Sequence, residues 1–381
     1  MYRLKKQILE ICILLILTLS FLVANNCFGA NLKYIRVLIF KDVSSLNVRI
    51  DGFYEVRDIK HQTLYRGKNL SATITVSRGK ISMGKAIFNN DRLIIRADDP
   101  QVVMVNGKKF RGDICLVRSN SLLKAVNYIE LEDYVKGVLI HEASHYWPLE
   151  ALKALAVVCR SFALYQAEER SSQDYDLSSD IYSQVYGGKS GERYRLNQAV
   201  DSTKSQVLVY KGKVLPAFHH ATCGGATEDA AILWNIDILP LKGVVCGFCQ
   251  DSPHFNWHLV LNRAEVRKKL SDGGYKTQDI QDIVILSKTN SGRVKDMSIV
   301  FASGNLNISA KDFRNTIGPN SIRSANFKLR FEGEDIVFEG IGWGHGVGFC
   351  QWGAYFMAKE DYNFHQILEH YYPGSKIEIR S

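Results

Sequence analysis

From Leu32 to about Val105 apolar and polar positions alternate, β-branched residues are frequent, and turn-forming groups stand at Ser44-Ser45, Asp51-Gly52, Asn89-Asn90-Asp91 and Asp98-Asp99-Pro100. A period of two buries one side of each extended segment, so the pattern predicts a set of short strands, among them Tyr34 to Phe40, Ala72 to Val76 and Arg92 to Ile95. Two more strands are expected between Arg111 and Tyr128. The period then changes. Leu152, Leu155, Ala156, Cys159, Phe162 and Ala163 recur at three- and four-residue spacing, which predicts a long helix opening at Trp147-Pro148-Leu149-Glu150 and running to about Arg170. Proline suits a first turn, where its missing N–H has no bond to make. Lys153, Val157 and Arg160 form a second stripe, putting two cations on one face, open to a substrate or to carboxylates.

Beyond a polar loop rich in Ser and Asp (171 to 180), strands are expected at Gln206 to Tyr210 and Val214 to His219. After Asn262 a short helix precedes strands near Ile283 to Ser287, Val294 to Phe301, Phe327 to Phe331 and Ile336 to Phe338. Regular strand–helix alternation is missing, so the class is α+β: a mixed β-sheet domain with a long central helix and a β-rich N-terminal region. The expected division is a leader over residues 1–30, a β-rich region over 31–106 and the unit that carries the chemistry over 107–381.

Arg3, Lys5 and Lys6, then an apolar run from Ile11 to Ala24, then Gly29-Ala30, follow the pattern of an export signal. The run is short for a spanning helix, so a cleaved signal is expected ahead of a retained anchor. Either places the chain outside the cytoplasm, periplasmic or extracytoplasmic, touching the membrane only through this segment. With 381 residues, 46% of them hydrophobic, the chain can bury a large core, which excludes a disordered polymer. Its formal charge of +9 favours polyanions, which outside a membrane are wall polymers and lipid head groups rather than nucleic acid.

Of eight cysteines, Cys12 and Cys27 fall in the leader. Cys246-Gly247-Phe248-Cys249 is a pair spaced to put two sulfurs on one ion; with Cys223 and His254 it would complete a tetrahedral, structural Zn²⁺ site, with His220 as an alternative ligand. A disulfide is the other reading, because the compartment is oxidising. The glycine-rich stretch around His345 lacks the spacing of a dinucleotide loop, since Val347 and Phe349 stand where the third glycine would fall.

Glu142 lies between Val138-Leu139-Ile140-His141 and Tyr146-Trp147-Pro148. Apolar surroundings disfavour a charged carboxylate and raise its pKa, as an acid working near neutral pH requires. This segment carries a resemblance. Leu131-Glu132-Asp133-Tyr134-Val135-Lys136-Gly137-Val138, Glu142, and the run from Trp147 to Ser161 closely resemble the stage II sporulation protein D/LytB amidase-enhancer family. The likeness continues through Ser183 to Gly188, His220 to Glu228 and Gly342 to Ala354. It implies a lytic transglycosylase that cleaves the bond between N-acetylmuramic acid and N-acetylglucosamine in peptide-stripped glycan strands, with Glu142 as acid and base. Other relatives imply the alternative of a non-catalytic enhancer that binds glycan and partners a cell-wall amidase. The same likeness implies substrate contacts from Lys153, Arg160, Gln184, Tyr186, His345 and Gln351. Trp147, Tyr186, Trp343 and Trp352 are candidate sugar-stacking surfaces. Ala143-Ser144, Leu155 and Cys350 depart from the family's usual Met-Pro, Gln and Ser.

Overall fold

The computed structural model describes residues 34–98, 102–180 and 183–380. The expected export signal lies outside these residues. No helix among them is long and apolar enough to cross a membrane.

The alternating N-terminal pattern folds into one large, mostly antiparallel sheet. Its main path runs through Tyr34–Val43, Leu122–Glu130, Asp113–Ser119, Arg92–Ala97, Ser45–Arg57 and Thr63–Ser77. Leu46, Val48 and Ile50 point into the core while Ser45, Asn47 and Arg49 are exposed, which is the expected period of two. The strands are longer than expected, 13 residues in Ser45–Arg57 and 15 in Thr63–Ser77. Asp51-Gly52 is the reason: it forms a bulge inside a strand instead of a turn, with Gly52 at a φ of 107° that a side chain would strain. The sheet also runs across the expected division at 106/107. Asn106-Gly107, both at positive φ, is the two-residue turn of the hairpin Val102–Val105/Lys108–Arg111, which joins the same sheet.

Helix α1 (Leu131–Glu142) starts where strand Leu122–Glu130 stops, and packs Tyr134, Val135, Val138 and Leu139 on the sheet's core. Gly137 allows the next layer to close on it, because a Cβ there would lie 2.5 Å from the Tyr186 ring. Helix α2 (Leu149–Glu169) follows a short turn, with Pro148 immediately before its first residue. It buries Leu152, Leu155, Ala156, Cys159 and Ala163 as the spacing predicts, but Val157 and Arg160 as well. The two-faced helix inferred from spacing is therefore a central one. It is enclosed by the sheet, by helix Tyr194–Ser202 and by helices Gln351–Lys359 and Phe364–Tyr371.

A second core, separate from the first, gathers Trp257, Leu261, Val266, Leu270, Met297, Phe313, Phe327 and Phe338. It belongs to a unit inserted between Cys249 and Cys350, made of two three-stranded antiparallel sheets and helices Arg263–Asp272 and Ala310–Ile317. The insert enters and leaves side by side, since Asn256 pairs with Ile341. Its two ends thus return the chain to the parent core at almost one place.

Candidate active site

Glu142 is the last residue of α1; Ala143 leaves the helix in an extended conformation, so the carboxylate projects at the point where the chain turns. Two residues distant in sequence hold it. Gln351 Nε2 donates to Glu142 Oε2 at 2.7 Å, and His219 Nε2 lies 3.3 Å from the same oxygen. Burial pushes the Glu142 carboxyl up, but the charge and hydrogen bond of His219, the Gln351 amide and the His141 charge together outweigh it and hold it below its ordinary value of 4.5. For His219, burial pushes down, while the Glu142 charge and hydrogen bond and a backbone contact at Ala217 win and raise it above its ordinary 6.5. The expectation of a carboxyl raised by desolvation is thereby reversed, because apolar neighbours come with a histidine that the local sequence did not reveal.

Glu142 stands where two lobes of a cleft meet. The larger, about 600 Å³, is lined by Phe162, Gln166, Arg170, Trp234, Arg314 and His345 among others. The smaller, about 380 Å³, has Ser144, Trp147, His254 and Trp352 in its walls. His141, Glu142, Ala221, Trp343 and Gln351 border both. Among the described lining residues of the two lobes Glu142 is the only carboxylate.

Behind the site the sulfurs of Cys223, Cys246, Cys249 and Cys350 lie within 4.8 Å of one another, all buried and all free thiols. A tetrahedron with Zn–S bonds of about 2.3 Å has edges of about 3.8 Å; Cys223 Sγ and Cys249 Sγ are 3.4 Å apart. Backbone N–H groups of Cys223 and Gly353 donate to Cys350 Sγ at 3.2 and 3.3 Å, the outer-shell support that metal-bound thiolates receive. The donor set fits a closed structural Zn²⁺ site, with one correction to the expected ligands. Cys350 would take the fourth corner. His254 is absent from the group because its ring packs against Trp343 and Trp352, at centroid distances of 4.8 and 6.0 Å. His220 is likewise outside it, its Nδ1 bonded to the Val347 carbonyl at 3.1 Å.

Residues 119–210 match the family described as Stage II sporulation protein, SpoIID. Residues 241–348, which contain the inserted unit, match a domain of unknown function, DUF8618. An uncharacterised protein of Brachyspira hyodysenteriae is 32% identical over 353 residues, covering 91% of this chain and 94% of that protein. Stage II sporulation protein D of Bacillus subtilis is 29% identical over 269 residues, 67% of this chain and 76% of the relative. The amidase enhancer of Bacillus subtilis is 24% identical over 291 residues, 64% of this chain but 40% of the relative. The chain belongs to the SpoIID/LytB family. Membership supports a cell-wall related role.

In this SpoIID/LytB protein two of the six expected substrate contacts reach the cleft. His345 lines the larger lobe, its Nδ1 accepting from Val347 N at 3.0 Å, and Gln351 orients Glu142. The other four are corrected by their partners. Arg160 has no exposed side-chain surface and grips both oxygens of Glu132 at 2.9 and 2.7 Å. Lys153 pairs with Glu150 at 2.7 Å and lies over the Phe364 ring. Gln184 accepts from the Tyr134 hydroxyl at 3.0 Å, and Tyr186, also buried, donates to Asn127 Oδ1 at 2.9 Å beneath α1. Arg160, Gln184 and Tyr186 thus brace α1, which ends in Glu142, whereas the contacts of Lys153 stay with α2 and Phe364. Of the candidate stacking surfaces Trp147, Trp343 and Trp352 line the smaller lobe. His219 is the functional residue that sequence reasoning missed. The signal was the pair His219-His220 in an extended segment, where neighbouring side chains point to opposite faces.

Proposed function

We propose that the protein is an exported lytic transglycosylase acting on peptide-stripped peptidoglycan strands. One observation carries the reading: a single, largely but not fully buried carboxylate, Glu142, sits at the junction of two cleft lobes, as a glycan running through both would require. A hydrolase that activates water normally needs a second carboxylate, whereas a muramic acid supplies its own nucleophile. In the free protein the proton shared by the pair rests on His219. Glycan filling the cleft removes water, and both charged forms lose solvation, so the proton passes to Glu142. Glu142 donates it to the glycosidic oxygen as the bond from muramic acid C1 breaks, leaving a free 4-hydroxyl on N-acetylglucosamine. The carboxylate then takes the proton of the muramic acid C6 hydroxyl as O6 bonds to C1, closing the 1,6-anhydro ring and restoring the acid. No water is consumed. The partly exposed Trp343 and Trp352 of the smaller lobe offer apolar ring surface to a sugar, with the buried Trp147 packed behind Trp352.

Cys223, Cys246, Cys249 and Cys350 would hold Zn²⁺ as a brace behind the site. Cys350 pairs with His220 in the strand contact that positions His219, and is followed directly by Gln351. A second reading, a glycan-binding enhancer that works with a cell-wall amidase, is favoured by the likeness to the amidase enhancer. The masses of the products discriminate. Transglycosylation yields fragments one water lighter than hydrolysis would, and an enhancer alone yields none.

A further inference from the structure

The inserted unit does more than sit beside the cleft. In helix Ala310–Ile317, Ala310, Phe313 and Ile317 are buried in that unit's own core, so Lys311 and Asn315 project away from it while the half-buried Arg314 flanks the buried face, and all three line the larger lobe. Arg170, at the end of α2, lines the same lobe. Three permanent cations therefore border a space whose one carboxylate, Glu142, is engaged by His219 and Gln351. Among the described residues none of the three forms an ion pair with an acid. Arg314 donates to the carbonyls of Ile322 and Pro319 at 2.9 and 3.2 Å, and Lys311 to that of Leu233 at 3.1 Å. The nearby acids Glu228, Asp296 and Asp312 accept from hydroxyls of Thr289, Ser291, Ser287 and Ser309 instead. Burial alone brings Arg314 from 12.5 to about 10, with no carboxylate offsetting it.

A partly desolvated guanidinium without a counter-charge gains from an incoming anion, and its planar fork matches a carboxylate. We propose that Arg314 and Lys311, with Arg170 of the same lobe, form a subsite for the free lactyl carboxylate of a muramic acid that has lost its stem peptide. The inference rests on the glycan reading above. In a peptide-bearing strand that carboxyl is an uncharged amide with a chain attached, so the subsite selects stripped strands on both charge and bulk. The inserted unit thereby becomes the part of the molecule that reads the state of the substrate.

The test is binding to the full-length Glu142→Gln protein, which separates recognition from turnover. Three probes of equal sugar length are titrated: a peptide-free muramic acid-containing oligomer, its peptide-bearing counterpart and a neutral chito-oligosaccharide. The peptide-free oligomer binds about tenfold more tightly than either other probe, the worth of one charge-assisted hydrogen bond. Adding Lys311→Ala with Arg314→Ala abolishes that preference and leaves chito-oligosaccharide affinity within about twofold. Because Arg314 also holds the loop at Pro319 and Ile322, Lys311→Glu, on an exposed residue, serves as the second variant and lowers peptide-free affinity alone. Equal binding of peptide-bearing strands, or a preference that survives both variants, overturns the subsite and spares the glycan cleft. Failure of all three probes to bind overturns the cleft reading and the subsite together.

Discussion

His219 Nε2 stands 3.3 Å from Glu142 Oε2, and the two groups displace each other's protonation in opposite directions. The relationship joins distant parts of the chain. Strand His219–His220 lies parallel to Phe349–Cys350, and the residue after that strand, Gln351, donates to the same carboxylate oxygen. The acid of α1 is therefore controlled from segments that flank the inserted unit.

The pair should be active while it holds one proton, which predicts a bell-shaped dependence of kcat/KM on pH. Its acid limb lies below the ordinary carboxyl value of 4.5, because Glu142 is lowered, and its basic limb above 6.5, because His219 is raised. In His219→Gln burial acts on Glu142 without its main counterweight, so the carboxyl rises and must itself be protonated. Activity at neutral pH then falls by about 10²-fold and recovers on acidification. The pair's contribution to stability is fullest between 4.5 and 6.5, lost as pH falls through the Glu142 value and again as it rises through the His219 value. An unshifted basic limb in His219→Gln would contradict the pairing.

Arg160 and Lys153 should separate cleanly. Removing Arg160 leaves Glu132 without the partner that grips both its oxygens, so Arg160→Ala lowers stability by about 3–5 kcal/mol in denaturant titration. Lys153→Ala, which breaks a partly exposed pair with Glu150 one turn away on the same helix, changes it by less than about 1 kcal/mol. The folded fraction of each keeps its substrate affinity, because neither side chain lines the cleft.

Much of this architecture was readable in advance. Alternation located Tyr34–Val43, Arg92–Ala97 and Val294–Phe301, and three- and four-residue spacing located α2. Periodicity reports burial and not what a buried group bonds to, so Arg160 looked like a free cation although Glu132, 28 residues earlier, had claimed it. The fourth thiol was hidden for a topological reason. Cys350 joins Cys223 and Cys249 because the insert returns beside its own entry point, and local spacing carries no trace of that return. His219 escaped notice beside His220, which belongs to a family-like block, whereas its own face turns to Glu142. The inserted unit's strands were legible, but its independent core was not, since alternation is the same whichever core it feeds.

Zinc bound by the four cysteines should be removable with loss of the brace. A strong chelator is predicted to lower the Tm by roughly 5 °C or more, and Cys350→Ser to lower it without chelator and to blunt the chelator's effect. His254→Ala should leave the response intact, since its ring lies outside the cluster. Elemental analysis finding no metal in the purified protein, with a Tm indifferent to chelator, would contradict the site.

The most direct measurement is mass spectrometry of peptide-free glycan strands incubated with wild type and with Glu142→Gln under the same conditions. The wild type is predicted to release fragments ending in 1,6-anhydro-muramic acid, and the variant to release them at least about 10²-fold more slowly while remaining folded. Anhydro fragments formed equally fast by the variant, or no fragments from a folded, metal-loaded wild type, would contradict the claim that Glu142 drives glycan cleavage.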